Sequence, residues 1–402
     1  MICRLSVLIH THRLNTPPPQ IPTVVRILAT ADWQLDMRAH RLSKEGRDEL
    51  YKARLDALSA LLKLAKKENV DYILAAGDLF EVANPREQLV KDTAKILQSH
   101  SNVPIHVIPG NHDLYGDGGV WKKPAVTSIK HLIIHSEYSP IELDGFVLHP
   151  LPVKSKHELT PYNDYLEDVN ADERIHVVMA HAHDTSYMDI EKISSHEIET
   201  KLKIDTSIVQ TKGYDFCILG HWHSWTEVQK NALYPGTHEQ TKFGERDAGY
   251  VAIIDIENGK EPIIAKHKVG QLSWEKMEID VTGNSEDEII KVIREKMEQE
   301  VTFLSVDLVG ECDVKFTADS IPRLIESCEP MFKHFELHSE KTEISFDLDS
   351  MMKRYPLPPL LNDIQNEILS ELSETPDDAN LMAELVEFWR NLRDSGLIGD
   401  DV

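Results

Sequence analysis

From Val24 the apolar and polar positions fall into a regular alternation of elements. The run VVRILATADW reads as a buried strand that ends in polar residues. A helix is predicted over about Lys44 to Glu68, where Leu55, Leu58, Leu61, Leu62 and Ala65 recur at helical spacing. DYILAAGDLF is a second strand running into a loop, residues 86–100 a second helix, and VPIHVIPGNHD a third strand ending in a turn. Strands and helices at such short spacing predict an α/β fold with a mainly parallel sheet at its start. Each strand releases its polar residues at its carboxyl end, where α/β folds place their sites.

The middle of the chain is richer in strands: HLIIHS, GFVLHPLP, RIHVVMAHAH, FCILGHWHS, GYVAIIDIE and PIIAKHKVG. Two packed sheets are the natural way to bury so many. QLSWEKMEIDVTGN reads as a crossing point. A charged helix (about 285–300), a strand, a helix (about 318–330) and a further strand pair follow, so 271–350 is expected to be a small α+β domain. The prolines of YPLPPL, 355–360, mark a linker, and 351–402 ends in an acidic helical tail. Residues 1–23 carry a triple proline and lack the clean apolar core and cleavage site of a signal peptide. They are expected to be an extension outside the 24–270 domain.

Composition narrows the function. At about 150 residues per domain, 402 residues allow two or three domains. No run of about 18 apolar residues exists, which excludes a membrane-spanning helix from the pattern. Cys3, Cys217, Cys312 and Cys328 lie far apart with no CxxC pair, which argues against a disulfide framework and for a reducing, cytoplasmic setting. A net charge of −25 argues against a broad basic surface gripping nucleic acid by charge alone. It leaves open a nucleic-acid enzyme whose site carries bound cations.

Five short segments each follow an apolar strand: Asp32-Trp33-Gln34, Gly77-Asp78, Gly110-Asn111-His112-Asp113, His181-Ala182-His183 and Gly220-His221-Trp222-His223. Their glycines let backbone turn beside a site, and their Asp, Asn and His side chains form a mixed nitrogen and oxygen donor set without thiolate. Such a set points to hard divalent ions, manganese first and magnesium second. Asp32, Asp78, Asn111, His181, His221 and His223 are too many ligands for one tetrahedral ion, but enough for two ions sharing a carboxylate. Two ions about 3.5–4 Å apart activate water and stabilise both oxygens of an in-line phosphoryl displacement. Taken singly, each piece is commonplace. His106, His131, His135, His149, His157 and His176 are read as satisfied structural residues.

The ordered set D-x-(H), GD-x-(F), GNHD, a lone His after a strand, and GH-x-H resembles the calcineurin-like metallophosphoesterases over residues 25–270. Within them, GDLF and YPGTHEQTKFGE (Tyr234, Pro235, Gly236, Glu239, Phe243 and Glu245) resemble the SbcD-type nucleases of double-strand-break repair. The resemblance implies a four-layer α/β/β/α sandwich with a small α+β cap and a helical C-terminal tail. It also implies roles. Asp32 and His223 would bind a first ion, Asn111, His181 and His221 a second, and Asp78 would bridge; which GH-x-H histidine serves which ion stays open. His112 would face the scissile phosphate as general acid or as partner of the transition-state charge, with Asp113 orienting its ring. His183 would touch phosphate or metal, or neither. Gln34 stands where the family has His, implying a weakened first-ion site, a hydrogen bond to bound water, or a regulatory role with little catalysis.

The resemblance further implies a DNA substrate met by the 271–350 domain, a homodimer, and an SbcC-type coiled-coil ATPase partner. Phosphate contacts are sought at Lys122-Lys123, Lys154-Lys156, Lys242 with Arg246, and Lys266-Lys268, each equally readable as a solvated face. Trp33 and Trp222 read as pocket walls rather than as base-stacking rings. The stripe Leu381, Leu385, Phe388, Trp389 and Leu392 reads either as the ATPase contact or as packing within this chain. Two other function classes stay open: a phosphoesterase of small diesters or phosphoproteins, and a weakly active DNA-binding scaffold.

Overall fold

A computed structural model of the chain describes residues 24–100, 103–155, 161–186, 202–312, 316–344, 357–374 and 379–396. Readings placed on residues 1–23, on Lys156 and His157, and on Tyr355 and Pro356 of the linker lie outside these.

The apolar run after Val24 forms strand β1 (Val25–Thr30). Helix α1 (Lys44–Lys67) follows, burying Leu58, Leu61, Leu62 and Ala65. Then come β2 (Tyr72–Ala75), helix α2 (Glu87–Ser99), β3 (Ile105–Val107) and β4 (Leu132–Ile134). β1 to β4 pair in parallel and in sequence, as their short helical connections require. A second run supplies β5 (Ile141–Leu143), β6 (Phe146–Leu151), β7 (Ile175–His181), β8 (His183–Asp184) and β9 (Lys203–Ile204). After helix α3 (Ile208–Lys212) it continues with β10 (Phe216–Gly220), β11 (Thr226–Gln229) and β12 (Ala232–Tyr234). Finally β13 (Tyr250–Ile256) and β14 (Ile263–Lys268) return to the first sheet.

The result is two six-stranded sheets, ordered β14-β13-β1-β2-β3-β4 and β11-β12-β10-β7-β6-β5. Period-2 alternation aims one face of each at the other. Val25, Ile27 and Ala29 of β1 and Ala252, Ile254 and Ile256 of β13 share one apolar core with Val177 and Met179 of β7 and Phe216 and Ile218 of β10. On the opposite face of the second sheet, Val178, Ala180 and Leu219 pack with Ile208 and Val209 of α3. HLIIHS, read with the β-rich middle, joins the first sheet as β4.

By contact, the chain divides into two compact units. The first takes the chain up to Met37, Ala57–His238 and Asp247–Val269; the second takes Arg38–Asp56, Glu239–Arg246 and Gly270–Val402. The second holds three parallel strands, β15 (Trp274–Asp280), β16 (Phe303–Cys312) and β17 (His334–Ile344). QLSWEKMEIDVTGN therefore carries β15 instead of a bare crossing. Helices α4 (Glu286–Glu298) and α5 (Ile321–Cys328) alternate with these strands, and α4 starts at a full capping box between Ser285 and Glu288. Phe243 meets Trp274 at a centroid distance of 5.0 Å, and the buried Glu239 carboxylate accepts the Gln271 N–H at 2.5 Å. In α6 (Pro359–Glu374) and α7 (Ala379–Asp394), Leu385, Trp389 and Leu392 pack with Leu361, Ile368 and Leu369. No described helix is long and apolar enough to cross a membrane.

Candidate metal centre

Five segments leave the carboxyl ends of β1, β2, β3, β7 and β10, and in the first unit they converge on Asp78. The backbone there is strained in a way that few other segments share. Of nine non-glycine residues with positive φ among those described, four are Asp32 (50°), Gln34 (46°), Asp78 (51°) and His221 (102°). L-residues hold such angles only where surrounding structure imposes them, and such strain gathers at functional sites. The glycines serve close approach. A Cβ on Gly110 would strike the Asp78 carboxylate, and one on Gly220 would strike the Ala76 carbonyl and lie 2.7 Å from His181 Nδ1.

His181 is the key to the chemistry. Its Nδ1 lies 2.8 Å from the Ala76 carbonyl oxygen, which only a ring N–H can satisfy. In the neutral ring, Nε2 then aims a lone pair at Asp78 Oδ2 (3.3 Å) and Asn111 Oδ1 (3.1 Å). His221 Nδ1 lies 3.1 Å from the same Asn111 oxygen. Ligand atoms of Asp78, His181 and His221 all fall within 4.8 Å of one another. Converging lone pairs require a proton or a cation between them, and these atom types suit a divalent ion of the manganese or magnesium kind.

The other expected ligands border the same carboxylate. Asp32 accepts the His221 backbone N–H at 3.0 Å, and Gln34 Nε2 lies 3.5 Å from Asp78 Oδ2 and 3.4 Å from His223 Nε2. Gln34 is therefore inside the cluster, between two expected ligands. Which end of its amide faces them is an assignment of oxygen against nitrogen, so a flipped amide offers Oε1 at the same point.

Electrostatics follow from burial. Asp32, Asp78 and Asp113 are 0%, 2% and 0% exposed, so unbalanced negative charge is costly. Burial pushes Asp32 up to about 6 even against the pull of His181 and His223. Burial, and then the Asp78 charge, push Asp113 up to about 7. Burial also opposes ionised Asp78, but the His181 ring and then His112 outweigh it and hold that carboxyl below the usual range. The converse appears in His181: burial disfavours its charge, yet Asp78 raises it to about 9. His221 is held well below its ordinary value by burial and by its neighbours His181 and His183. A proton on His181 thus balances Asp78, and a cation bound at the same lone pairs replaces that proton.

One expectation needs correction. Asp113 does not orient the His112 ring. Its carboxylate accepts the backbone N–H groups of Gly110 (2.7 Å), Leu79 (2.8 Å) and Phe80 (3.2 Å), tying the GD loop to the GNHD loop. The His112 ring instead places Nδ1 2.9 Å from the Glu81 carbonyl oxygen, and its backbone N–H donates to Asp78 Oδ1 at 2.9 Å. A backbone carbonyl has no sequence signature, so this partner was not legible in advance. His183 places Nε2 2.8 Å from His221 Nε2. With His221 Nδ1 turned to the ligand cluster, Nε2–H is the donor of that pair, and His183 fixes the tautomer of His221. Trp33 is buried and donates to Thr30 Oγ1, as a wall would. Lys242 is exposed and lies in the second unit.

A calcineurin-like phosphoesterase family model matches residues 25–225, half of the chain. The chain belongs to this family, whose members use a dinuclear divalent metal centre, and it is a metal-dependent hydrolase. Among its relatives, the SbcD component of the nuclease SbcCD from Staphylococcus epidermidis is 25% identical over 267 residues, 59% of this chain and 67% of that protein. The corresponding Bacillus subtilis protein is 26% identical over 272 residues, 59% and 68% of the two chains. The DNA double-strand break repair protein Mre11 of Saccharolobus solfataricus is 37% identical over 92 residues, 22% and 23% of the two chains.

Proposed function

We propose that this protein is a metal-dependent DNA nuclease of the SbcD type, hydrolysing phosphodiester bonds at a two-ion centre. One observation carries the chemistry: His181, its Nδ1 turned to the Ala76 carbonyl, brings Nε2 within 3.3 Å of Asp78 Oδ2 and 3.1 Å of Asn111 Oδ1, where a cation can take the place of the proton. The names of the relatives support DNA as substrate. Asp78, Asn111, His181 and His221 would hold one ion, and Asp32, Asp78, Gln34 and His223 would hold the other, which would receive one imidazole fewer than its family pattern. When bound, the ion pair supplies Lewis-acid polarisation of the phosphoester and lowers the pKa of water. The chain's own part is orientation and proton traffic. Ala76 and His183 set the tautomers of His181 and His221. With Nδ1–H given to Glu81, His112 presents Nε2, 3.9 Å from Asp78 Oδ2, as proton donor to the leaving oxygen.

Two partners belong to this reading: a second copy of the chain, and an SbcC-type coiled-coil ATPase. α6 and α7 spend the Leu385, Trp389 and Leu392 stripe on each other, which favours packing within this chain over an ATPase contact for that stripe; Leu360 and Ile364, exposed one turn apart on α6, are apolar positions that such a contact would use. The test is incubation of purified protein with linear duplex DNA, single-stranded DNA and bis(p-nitrophenyl) phosphate, in manganese and then magnesium. Manganese-dependent DNA cleavage that Asp78→Asn abolishes is expected. Fast turnover of the small diester with intact DNA would overturn the nuclease reading.

A further inference from the structure

Lysine side chains on this acidic protein are placed over aromatic rings in a pattern that metal chemistry does not need. Among the described residues, five lysine-over-ring contacts occur, all in the first unit. Lys122 over Tyr115 (5.2 Å) lies in the segment after β3. Lys154, just past β6, covers Tyr138 (4.3 Å), just past β4. Lys266 lies 5.1 Å from the ring of Trp225, which follows β10, and 4.2 Å from Tyr250; Lys268 lies 4.8 Å from Tyr250.

Topology puts all of these at one end. β3, β4, β6 and β10 run parallel to the strands whose carboxyl ends carry the metal ligands. β13 is antiparallel to β1, so its first residue, Tyr250, lies at the carboxyl end of β1. β14 turns back again, with Lys268 opposite Tyr250. β14 is two strands from β1, about 10 Å across. Three of the lysines are held by Asp117, Glu137 and Asp247, whose side chains are 99%, 74% and 60% exposed. Exposed ion pairs contribute little, so a phosphate displaces those carboxylates readily.

We propose that this rim is a track for single-stranded nucleic acid, approaching the metal centre from both flanks. This rests on the DNA reading above. An unpaired base stacks on a ring by displacing the lysine that covers it, which turns that ammonium to the phosphate beside the base. The rest of a −25 surface repels the strand and confines it there.

The experiment uses the full chain and a fluorescein-labelled oligothymidylate, with binding followed by anisotropy in EDTA over a salt series. The triple variant Lys154→Gln, Lys266→Gln, Lys268→Gln is expected to bind on the order of tenfold more weakly, with the salt slope reduced by about 2. The double variant Trp225→Leu, Tyr250→Leu is expected to lose about fivefold or more with an unchanged slope. Melting midpoint and manganese-dependent turnover of bis(p-nitrophenyl) phosphate report whether each variant is folded with its metal centre intact. Wild-type affinity and slope in both folded variants would overturn the track. Failure of the DNA reading is separate, since it appears in the wild type alone, as small-diester turnover without DNA binding or cleavage.

Discussion

Two kinds of buried histidine cluster sit in the same pair of sheets. Away from the metal ligands, His106 Nδ1 meets His135 Nε2 and His149 Nε2 meets His176 Nδ1, each at 2.8 Å. At the strand ends, His221 meets His183 at the same 2.8 Å. The contact is alike, and His221 is likewise held low by burial; the difference lies in His181, the ring beside it. Burial brings His106, His135 and His149 down to about 4, even with Asp172 close to the His149–His176 pair. Beside Asp78, His181 rises to about 9. A buried imidazole pair is by itself packing; an acceptor-rich neighbour turns it into a ligand set.

The largest test of that contrast removes the acceptor. Asp78→Asn keeps the shape but takes away the shared charge, and turnover of bis(p-nitrophenyl) phosphate in manganese should fall by on the order of a thousandfold or more. Retained activity would mean that Asp78 is not shared between the ions. His106, His135 and His149 are tested by acid. Their folded pKa lies below the unfolded value, so the unfolded chain binds more protons between about pH 6.5 and 4. Stability is then full above that window and lost as pH falls through it, by roughly 3 kcal/mol per ring. Urea unfolding across this range reads the slope, and His106→Leu should flatten it; a flat wild-type profile would sink the assignment.

His183→Phe should weaken manganese binding by about 10–100-fold, because it frees the His221 tautomer without removing a ligand. Calorimetric titration measures this directly, and unchanged affinity would leave His183 with a packing role. The smallest effect is expected of Gln34→His, which restores an imidazole to the weaker ion and should tighten its binding by about tenfold. If the second step of the titration does not move, Gln34 lies outside that ion's reach.

Much of this was legible in the residue pattern. A strand that ends in Gly-Asp or Gly-Asn-His exposes both its geometry and its donors in one line of sequence, and the number of apolar strands in the middle of the chain pointed to two packed sheets. What stayed hidden depends on backbone. Asp113 sits beside His112 in sequence, yet its oxygens turn to the amides of Gly110, Leu79 and Phe80, because buried N–H groups of two loops need acceptors. The β15 strand was hidden by charged residues on its half-exposed face, where alternation carries little apolar signal.

One contact has a reach beyond chemistry. The imidazole that answers the Ala76 carbonyl comes from the opposite sheet, so whatever occupies Nε2 also decides how firmly the two layers are bolted together. Chelation and denaturation then report a single equilibrium, and a melting curve taken against free manganese doubles as a binding isotherm.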